Sequence, residues 1–489
     1  MSDLDQGPLL DVAIIGAGFS GLGMAIKLLE EGKRSFKIFE KADDVGGTWR
    51  ENTYPGCACD IPSHLYSFSY AQNPNWSRLY PSQPEIWEYL QDVREKFGVG
   101  PFIDYGKELK TAHWNEEGKY WTLGFGDGSS AKARVLVSAT GPLHYPMIPD
   151  IKGLDSFKGA QFHSATWDHD YDLTDKRVAV IGTGASAIQI IPSIVDKVKK
   201  LDVFQRTPPW IMPRPDRAIR SWEKWLFKHL PFTQTLFRTG IYWLHESRAY
   251  AFIRRPSILK LMQKVAKRHI HRHIKDPALR EAVTPDYVMG CKRVLISDDY
   301  YPALAREKTD VLRTGIDHVS ENAIHDSNGG VHEVDAIVFS TGFRVANIED
   351  QPEMVGRGGK TLTQAWSKGA EAYLGLSVPG FPNFFIMTGP NTGLGHNSVV
   401  FMVETMVHYI MDALKKMDRE GVQALDIRQD VNNAFNDEVQ KDLQRTVWES
   451  GCKSWYQTED GRNTTLWPGF TVSYWWQTRS LKRKNYDAV

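Results

Sequence analysis

The stretch DVAIIGAGFSGLGMAIKLLEEGKRSFKIFE, residues 11–40, decides the fold. An apolar run from Val12 to Ile15 leads into Gly16, Gly18 and Gly21, spaced as GxGxxG. A helical face follows at Leu22, Ile26 and Leu29, stops at Gly32, and gives way to a second strand ending on Glu40. This order of strand, glycine turn, helix, strand and closing acid is that of a dinucleotide-binding unit. The first glycine allows the tight turn, the second admits a pyrophosphate to the backbone, and the third lets helix and strand pack closely. Phosphates then meet the free N–H groups and the positive end of the helix dipole.

A second copy, RVAVIGTGASAIQIIPSIVDKVKKLDVFQRT, occupies residues 177–207, with Gly182, Gly184 and Ala187 in the accepted GxGxxA variant. The step that leads from Gly16 to Glu40 leads from Gly182 to Arg206. A carboxylate at that place accepts hydrogen bonds from a ribose 2′-hydroxyl, whereas a guanidinium suits a 2′-phosphate. The first site is therefore expected to hold FAD or NAD and the second NADP(H), so that electrons pass from NADPH to a bound flavin. An α/β fold with two Rossmann-like domains and a helical insertion is expected. The FAD-binding domain takes residues 1–145 and 345–489, and the NADP-binding domain takes 150–213 and 288–344. A helical subdomain, 214–287, is inserted in the latter. VLVSATG (135–141) and AIVFSTG (336–342) read as strands returning to a sheet edge, where the chain changes domain. FFIMTGPN (384–391) is expected to lead into a helix starting near Asn397, its N-terminus facing the flavin pyrimidine.

Composition bounds the class. The 489 residues are 42% hydrophobic and 24% charged, which fits several globular domains and excludes a disordered or fibrous chain. Lys+Arg and Asp+Glu both total 59, so no net charge draws the protein to nucleic acid. MSDLDQGPLLDV has no basic n-region before an apolar stretch, so no signal peptide is expected. The most apolar segment, Val399 to Leu414, is interrupted by Glu404, His408 and Asp412, which gives an amphipathic helix with one wet face and no membrane span. A cytoplasmic protein without a metal is expected.

Cys57, Cys59, Cys291 and Cys452 are too few for a disulfide scaffold and fit a reducing compartment. Cys57-x-Cys59 lacks the spacing of a redox-active pair or metal site, which counts against the disulfide reductases that share this layout. Residues 214–273 carry 14 Lys/Arg against Asp216, Glu223 and Glu246, with Trp222, Trp225 and Trp243 among them. They read as a helical subdomain with a basic outer face; an interfacial patch delivering lipophilic substrates from a membrane is the alternative.

FKGAQFHSATW at 157–167 reads Phe157-x-Gly159-x-x-x-His163-x-x-x-Trp167, and GGTWRENTYPGCACD occupies 46–60. In these stretches the chain resembles the flavin-dependent Baeyer–Villiger monooxygenases, matching their FxGxxxHxxxW fingerprint at every fixed position. Trp167 favours them over the heteroatom flavin monooxygenases. The YPGCACD wording and WPGFTVSYW (467–475) look closer to the 4-hydroxyacetophenone-type branch. The resemblance implies that NADPH reduces FAD and that O2 then forms a C4a-peroxyflavin. This attacks a small-molecule ketone to give an ester or lactone while NADP+ stays bound.

In the resembling family a permanently charged arginine stabilises the peroxide and the oxyanion. Arg293 in GCKRVLISDDYY (290–301) aligns with it, and Asp60 aligns with the carboxylate that holds it. The flavin contacts carried over are Gly16, Gly18, Phe19, Ser20, Gly21, Glu40, Gly47, Thr48, Trp49, Asp60, Tyr66 and Leu109. Those to NADP are Gly182, Thr183, Gly184, Ala185, Ser186, Arg206, Thr207 and Lys292. Lys292 and Arg293 are expected on opposite sides of an extended segment. His163 and Trp167 look like structural hinges in an interdomain linker and stay outside the catalytic set. Two other readings compete: a heteroatom (N/S) monooxygenase, and a non-catalytic NADPH-binding redox sensor that needs neither Asp60 nor Arg293.

Overall fold

Val12, Ala13 and Ile14 of the first strand, β1 (Leu10–Ile15), are fully buried, as a parallel strand covered on both faces requires. The computed structural model describes residues 7–344, 352–452, 454–458 and 460–489. The expected domain change at residue 345 and the first six residues of the N-terminal stretch lie outside the described residues. Helix α1 (Phe19–Glu31) buries Leu22 and Ile26 and ends at Gly32, whose left-handed backbone donates its N–H to the Leu28 carbonyl. Strand β2 (Phe36–Phe39) lies parallel to β1, Val12 opposite Phe36. Helices α2 (Thr48–Glu51) and α3 (Gln83–Lys96) follow, then β3 (Ile103–Asp104) beside β2. An antiparallel meander of β4 (Leu109–Asn115), β5 (Tyr120–Phe125) and β6 (Ser130–Ser138) brings β6 parallel to β1 on its other side.

The second unit repeats the pattern. Its strands and helix are β7 (Ala160–His163), β8 (Arg177–Ile181), α4 (Ala187–Ile194), β9 (Lys200–Phe204) and the short β10 (Ile211–Met212). Four helices then intervene: α5 (Ser221–His229), α6 (Pro231–Ile253), α7 (Leu259–His273) and α8 (Pro277–Val283). Strand β11 (Leu295–Ile296) pairs with β10, and α9 (Tyr300–Leu304) and β12 (Thr309–Leu312) follow. A small antiparallel sheet of β13 (Ile316–Val319), β14 (Ala323–Asp326) and β15 (Val331–Glu333) precedes β16 (Ala336–Phe339). The second sheet is parallel throughout, in the order β12-β9-β8-β16-β7.

The chain then returns to the first sheet through β17 (Glu353–Val355), α10 (Leu362–Ala365) and β18 (Phe384–Ile386). That sheet runs β17-β4-β5-β6-β1-β2-β3, with β18 also against β6. Helix α11 (Val399–Glu420), β19 (Leu425–Ile427), α12 (Gln429–Leu443), α13 (Thr471–Thr478) and β20 (Tyr486–Ala488), which pairs with β19, complete the described elements.

The two glycine turns are built alike. The Gly16 N–H donates to the Phe39 carbonyl at 2.9 Å, and the Gly182 N–H donates to the Phe204 carbonyl at 3.0 Å. Their φ angles are +102° and +107°; a Cβ would approach the carbonyl oxygens of Ala139 at 2.8 Å and Ser340 at 2.4 Å. VLVSATG and AIVFSTG therefore end directly beneath the two glycine turns. They are not edge strands: β6 lies between β1 and β5, and β16 between β8 and β7. Their uninterrupted apolar runs suit interior positions covered on both sides.

Helix α11 begins at Val399, capped by Ser398, whose hydroxyl accepts the Val400 N–H. Its polar stripe keeps a wet position at the exposed His408, but it is also a docking seam. Glu404 accepts the Ser69 N–H at 2.5 Å, His408 Nε2 meets the Arg479 carbonyl at 2.9 Å, and Asp412 accepts the Leu481 N–H at 2.7 Å. The stripe is where the 69 and 479–481 segments dock. No helix among the described residues is long and apolar enough to cross a membrane.

The reading of four reduced cysteines is corrected at two of them. Cys291 and Cys452 are joined in a disulfide with their Cα atoms 6.2 Å apart, while Cys57 and Cys59 are free and buried. A pairing across 161 residues leaves no local spacing to read. The bond ties the segment leading into Arg293 to Cys452. Titration of the denatured, unreduced protein with a thiol reagent is expected to count two thiols; four would contradict the pairing.

The insertion is not simply a surface appendage. Arg238 of α6 is buried and donates to the carbonyls of His64 at 2.6 Å, Leu65 at 3.2 Å and Ser67 at 2.9 Å. Glu246, also buried, accepts from Asn397 Nδ2 at 2.8 Å, Thr471 Oγ1 at 2.7 Å and the Val472 N–H at 3.0 Å. The helix thus holds the 64–67 turn, the start of α11 and the start of α13.

Two histidines at this junction predict a pH effect. Burial first, and the nearby Arg238 or Arg248 charge second, push His64 and His245 down from 6.5 to about 4. In the unfolded chain both take up a proton near 6.5, so between 6.5 and about 4 the unfolded state binds more protons. Stability is therefore expected to fall as pH drops through this window, by about 3 kcal/mol per histidine. Chemical denaturation across the window checks this: a flat profile contradicts it, and His64→Gln should reduce the slope.

Candidate active site

On the first sheet the glycine turn is overlaid by the GGTW segment, because the Gly46 N–H donates to the Ala17 carbonyl at 3.0 Å. Gly18 and Gly47 face each other; a Cβ on Gly47 would stand 3.4 Å from the Gly18 Cα. A slot without side chains is left at the start of α1, which has no side-chain cap and no acid in its first turn. Phe19, Ser20 and Gly21 form that turn, so their N–H groups are the donors an anion would meet. Glu40 is buried beside the turn, accepting the Ala17 N–H at 2.7 Å and the Ala42 N–H at 3.0 Å.

Thr48 and Trp49 open α2, and the Trp49 indole donates to the Tyr66 hydroxyl at 3.2 Å. Phe19 meets the Tyr66 ring edge-on at 5.3 Å. The turn that carries Tyr66 is the one Arg238 grips. Leu109, at the start of β4, turns its side chain into the core shared with Phe39 and Phe125, leaving only its backbone for a cofactor.

On the second sheet, a Cβ at Gly184 would meet nothing within 4 Å, so the approach to α4 is open. Thr183 Oγ1 donates to the Thr207 carbonyl at 3.2 Å, fixing the turn to the end of β9, and Ala185 and Ser186 complete it. Arg206 is exposed just past β9. Burial first and the Arg206 charge second hold Lys292 below the usual lysine range. Neither cation has an ion-pair partner among the described residues. Two neighbouring cations without a direct carboxylate partner among the described residues are the charge a phosphate needs.

Lys292 and Arg293 diverge, although the segment bends there and does not run extended. Lys292 lies over the Tyr287 ring, 5.1 Å from its centroid and within range of the Arg206 charge, and Arg293 turns to Asp60. Arg293 donates to Asp60 Oδ2 twice, from Nη2 at 2.6 Å and Nε at 3.2 Å. The Asp60 charge foremost raises Arg293 above its ordinary value; burial opposes this but does not win. For Asp60, burial raises and the Arg293 charge and hydrogen bonds lower, with a net shift below the usual carboxylate range. Surrounded as they are, the two side chains remain 36% and 28% accessible, so they face a cleft. Both donors go to a single oxygen, and Nη1 has no partner among the described residues. The guanidinium is anchored on one edge and offers a free donor on the other.

The chain matches the family model "flavin-binding monooxygenase-like" over residues 10–350. It is 50% identical over 479 residues to a Baeyer–Villiger monooxygenase of Pseudomonas aeruginosa, covering 98% of this chain and 90% of the relative. To one of Streptomyces coelicolor it is 48% identical, covering 98% and 92%. The crystal structure of OTEMO in complex with FAD and NADP superposes with a TM-score of 0.87 at 27% identity, over 97% of each chain. The chain belongs to the Baeyer–Villiger monooxygenases.

In this monooxygenase the fingerprint residues are structural. Phe157 is buried, and a Cβ at Gly159 would come 2.4 Å from the Asp335 carbonyl oxygen. His163 accepts the Ala165 N–H at 3.1 Å and meets Phe343 at 5.7 Å, while Trp167 packs edge-on to Phe162 at 4.9 Å. They brace β7, an edge strand of the second sheet, against the turn after β16. None of these contacts involves Arg293 or Asp60.

Two residues near the anchored guanidinium of the monooxygenase, and one behind the 64–67 turn, escaped sequence reasoning. Arg214 lies close enough to help lower Asp60 and stacks over Tyr80 at 5.1 Å. Tyr456 is buried, and its hydroxyl has no hydrogen-bond partner among the described residues. Burial foremost pushes that hydroxyl up to about 12, with Arg293 and Asp60 both acting on it. Arg238 acts from behind, through the 64–67 turn. No periodicity marks any of them. A cavity of about 590 Å³ between α1 and α11 is lined by Lys27, Tyr70, Glu404 and Met411 and contains no predicted site residue.

Proposed function

We propose that the chain oxidises ketones to esters or lactones, using FAD, NADPH and O2. One atom of O2 enters the product beside the carbonyl, the other leaves as water, and NADPH supplies the two electrons. The observation that carries this reading is the Arg293 guanidinium, pinned by Asp60 through Nε and Nη2 with Nη1 unpartnered among the described residues.

The two cradles fit the cofactors. The slot between Gly18 and Gly47 and the uncapped start of α1 would take the FAD pyrophosphate, with Glu40 at the adenosine ribose. Gly182, Thr183 and Gly184 would take the NADP pyrophosphate, and Arg206, Thr207 and Lys292 its 2′-phosphate. The bound flavin, reduced by NADPH, supplies the activation of O2.

The chain's own residues then govern the carbonyl. As the C=O is attacked its oxygen gains negative charge, and a preorganised cation receives that charge without reorganising. Arginine serves here because it does not lose its proton near neutral pH. Asp60 fixes its direction, and Trp49 and Phe19 fix Tyr66 against the same wall. This reading places the reaction in the cytoplasm, where NADPH is regenerated. Product identification with linear, cyclic and aryl ketones beside a tertiary amine tests it. Esters or lactones are expected; N-oxide formation with no ester from any ketone would overturn it.

A further inference from the structure

Helix α6 is built the wrong way round for a helix that faces water. Up to Glu246 its buried side carries Gln234, Arg238, His245 and Glu246, while Phe232, Leu236, Trp243 and Leu244 are 54–69% exposed; only the last two turns bury apolar groups, Ala249, Ala251, Phe252 and Ile253. Surface helices of globular proteins place the apolar stripe inward. The expected basic outer face is found on α7, where Lys260, Lys264 and Lys267 are exposed, but not on α6. Exposed Trp222 and Trp225 of α5 and Leu261 and Val265 of α7 enlarge the apolar surface. Through the Tyr242–Thr471 hydroxyl contact at 3.0 Å it adjoins α13, which exposes Trp476 with Arg479 stacked over it at 5.5 Å.

The charge around this surface is one-sided. All three acids of residues 214–273 are engaged: Asp216 with Arg78 at 2.7 Å, Glu223 with Arg217 at 2.7 Å, and Glu246 inside the fold. Arg220, Lys228, Arg255, Lys260, Lys264 and Lys267 are exposed and have no carboxylate partner among the described residues.

We propose that the outer face of α5, α6, α7 and α13 seats the protein on an anionic lipid surface. Tryptophans and aliphatic side chains reach the headgroup–acyl boundary while surrounding lysines and arginines meet lipid phosphates, the pattern of an interfacial helix. A second copy of the chain fits less well, because an isologous interface would press the same unpaired cations together. Single-stranded nucleic acid would engage the tryptophans and leave Leu236, Leu244 and Leu261 in water. The inference does not rest on the ketone reading.

Flotation of the FAD-loaded protein with vesicles of phosphatidylcholine, alone or mixed with phosphatidylglycerol, tests it. Flotation is expected with the mixed vesicles at low salt and not with phosphatidylcholine alone. Leu236→Ser with Trp243→Ser and Leu244→Ser, and separately Lys260→Gln with Lys264→Gln and Lys267→Gln, should each lower partitioning at least ~10-fold. NADPH consumption should stay at the parental rate in both variants, showing that the fold is intact. A parent that never floats overturns the proposal, as do variants that partition like the parent. So does a dimer in sedimentation that the serine variant abolishes, which would assign the face to a second copy.

Discussion

Replacing Arg293 by alanine is expected to leave NADPH-driven flavin reduction within a few-fold of the parent while lowering ester formation roughly 10²–10³-fold, ~2.7–4 kcal/mol of barrier. The asymmetry follows from the geometry. On this reading the reducing nucleotide would be held by Arg206, Thr207 and Lys292 and by the second glycine turn, none of which needs the Arg293 side chain. Oxygen transfer needs a cation in the cleft, and Asp60 would then be an unpaired carboxylate beside the reacting carbonyl. Electrons should still leave NADPH but end in hydrogen peroxide, so the ratio of peroxide to ester is the quantity to measure. Arg293→Lys should recover part of the ester, since it restores charge without the fork that engages Asp60 and still leaves a donor. Parental ester formation by the alanine variant would remove Arg293 from its assigned role.

Replacing Arg206 and Lys292 together by alanine should raise the KM for NADPH about 10–10²-fold, since hydrogen bonds to charged groups contribute ~1.5–3 kcal/mol. The KM for NADH, which lacks the 2′-phosphate, should hardly move. Arg206→Ala alone should cost more than Lys292→Ala alone, because the two cations repel each other and removing the partly buried lysine relieves both its desolvation and that repulsion. Their effects should therefore not add. Equal rises for NADPH and NADH would place the two cations away from the 2′-phosphate.

What the sequence disclosed and what it hid divide along physical lines. The glycine turns were legible because their requirement is local: Gly16 and Gly182 need a positive φ and a backbone neighbour, and the residues that impose it lie within one strand–turn–helix. The Glu40–Arg206 contrast was legible for the same reason, since both end the second strand of their unit. Arg293 and Asp60 are 233 residues apart, and only the family resemblance joined them. Cys291 and Cys452 have no such guide, and their number alone fits a reducing compartment.

Composition also misplaced charge in the insertion. Residues 214–273 are basic as a block, but composition does not say which side of a helix carries which residue. Arg238 and Glu246 face inward, and Phe232, Leu236, Trp243 and Leu244 outward. The apolar runs 135–141 and 336–342 read as strands at a sheet edge, yet an uninterrupted apolar strand is better satisfied between two neighbours. Tyr456 carries no signal at all: a buried hydroxyl without a partner shows itself only once the loop is folded onto Arg293 and Asp60.

One measurement reaches the central claim without any substitution. The protein, loaded with FAD and given NADPH, a ketone and isotopically labelled O2, should yield an ester carrying a single labelled atom, with about one ester formed per NADPH consumed. Unlabelled ester, or labelled hydrogen peroxide and water accumulating while every ketone offered is recovered unchanged, would contradict the account.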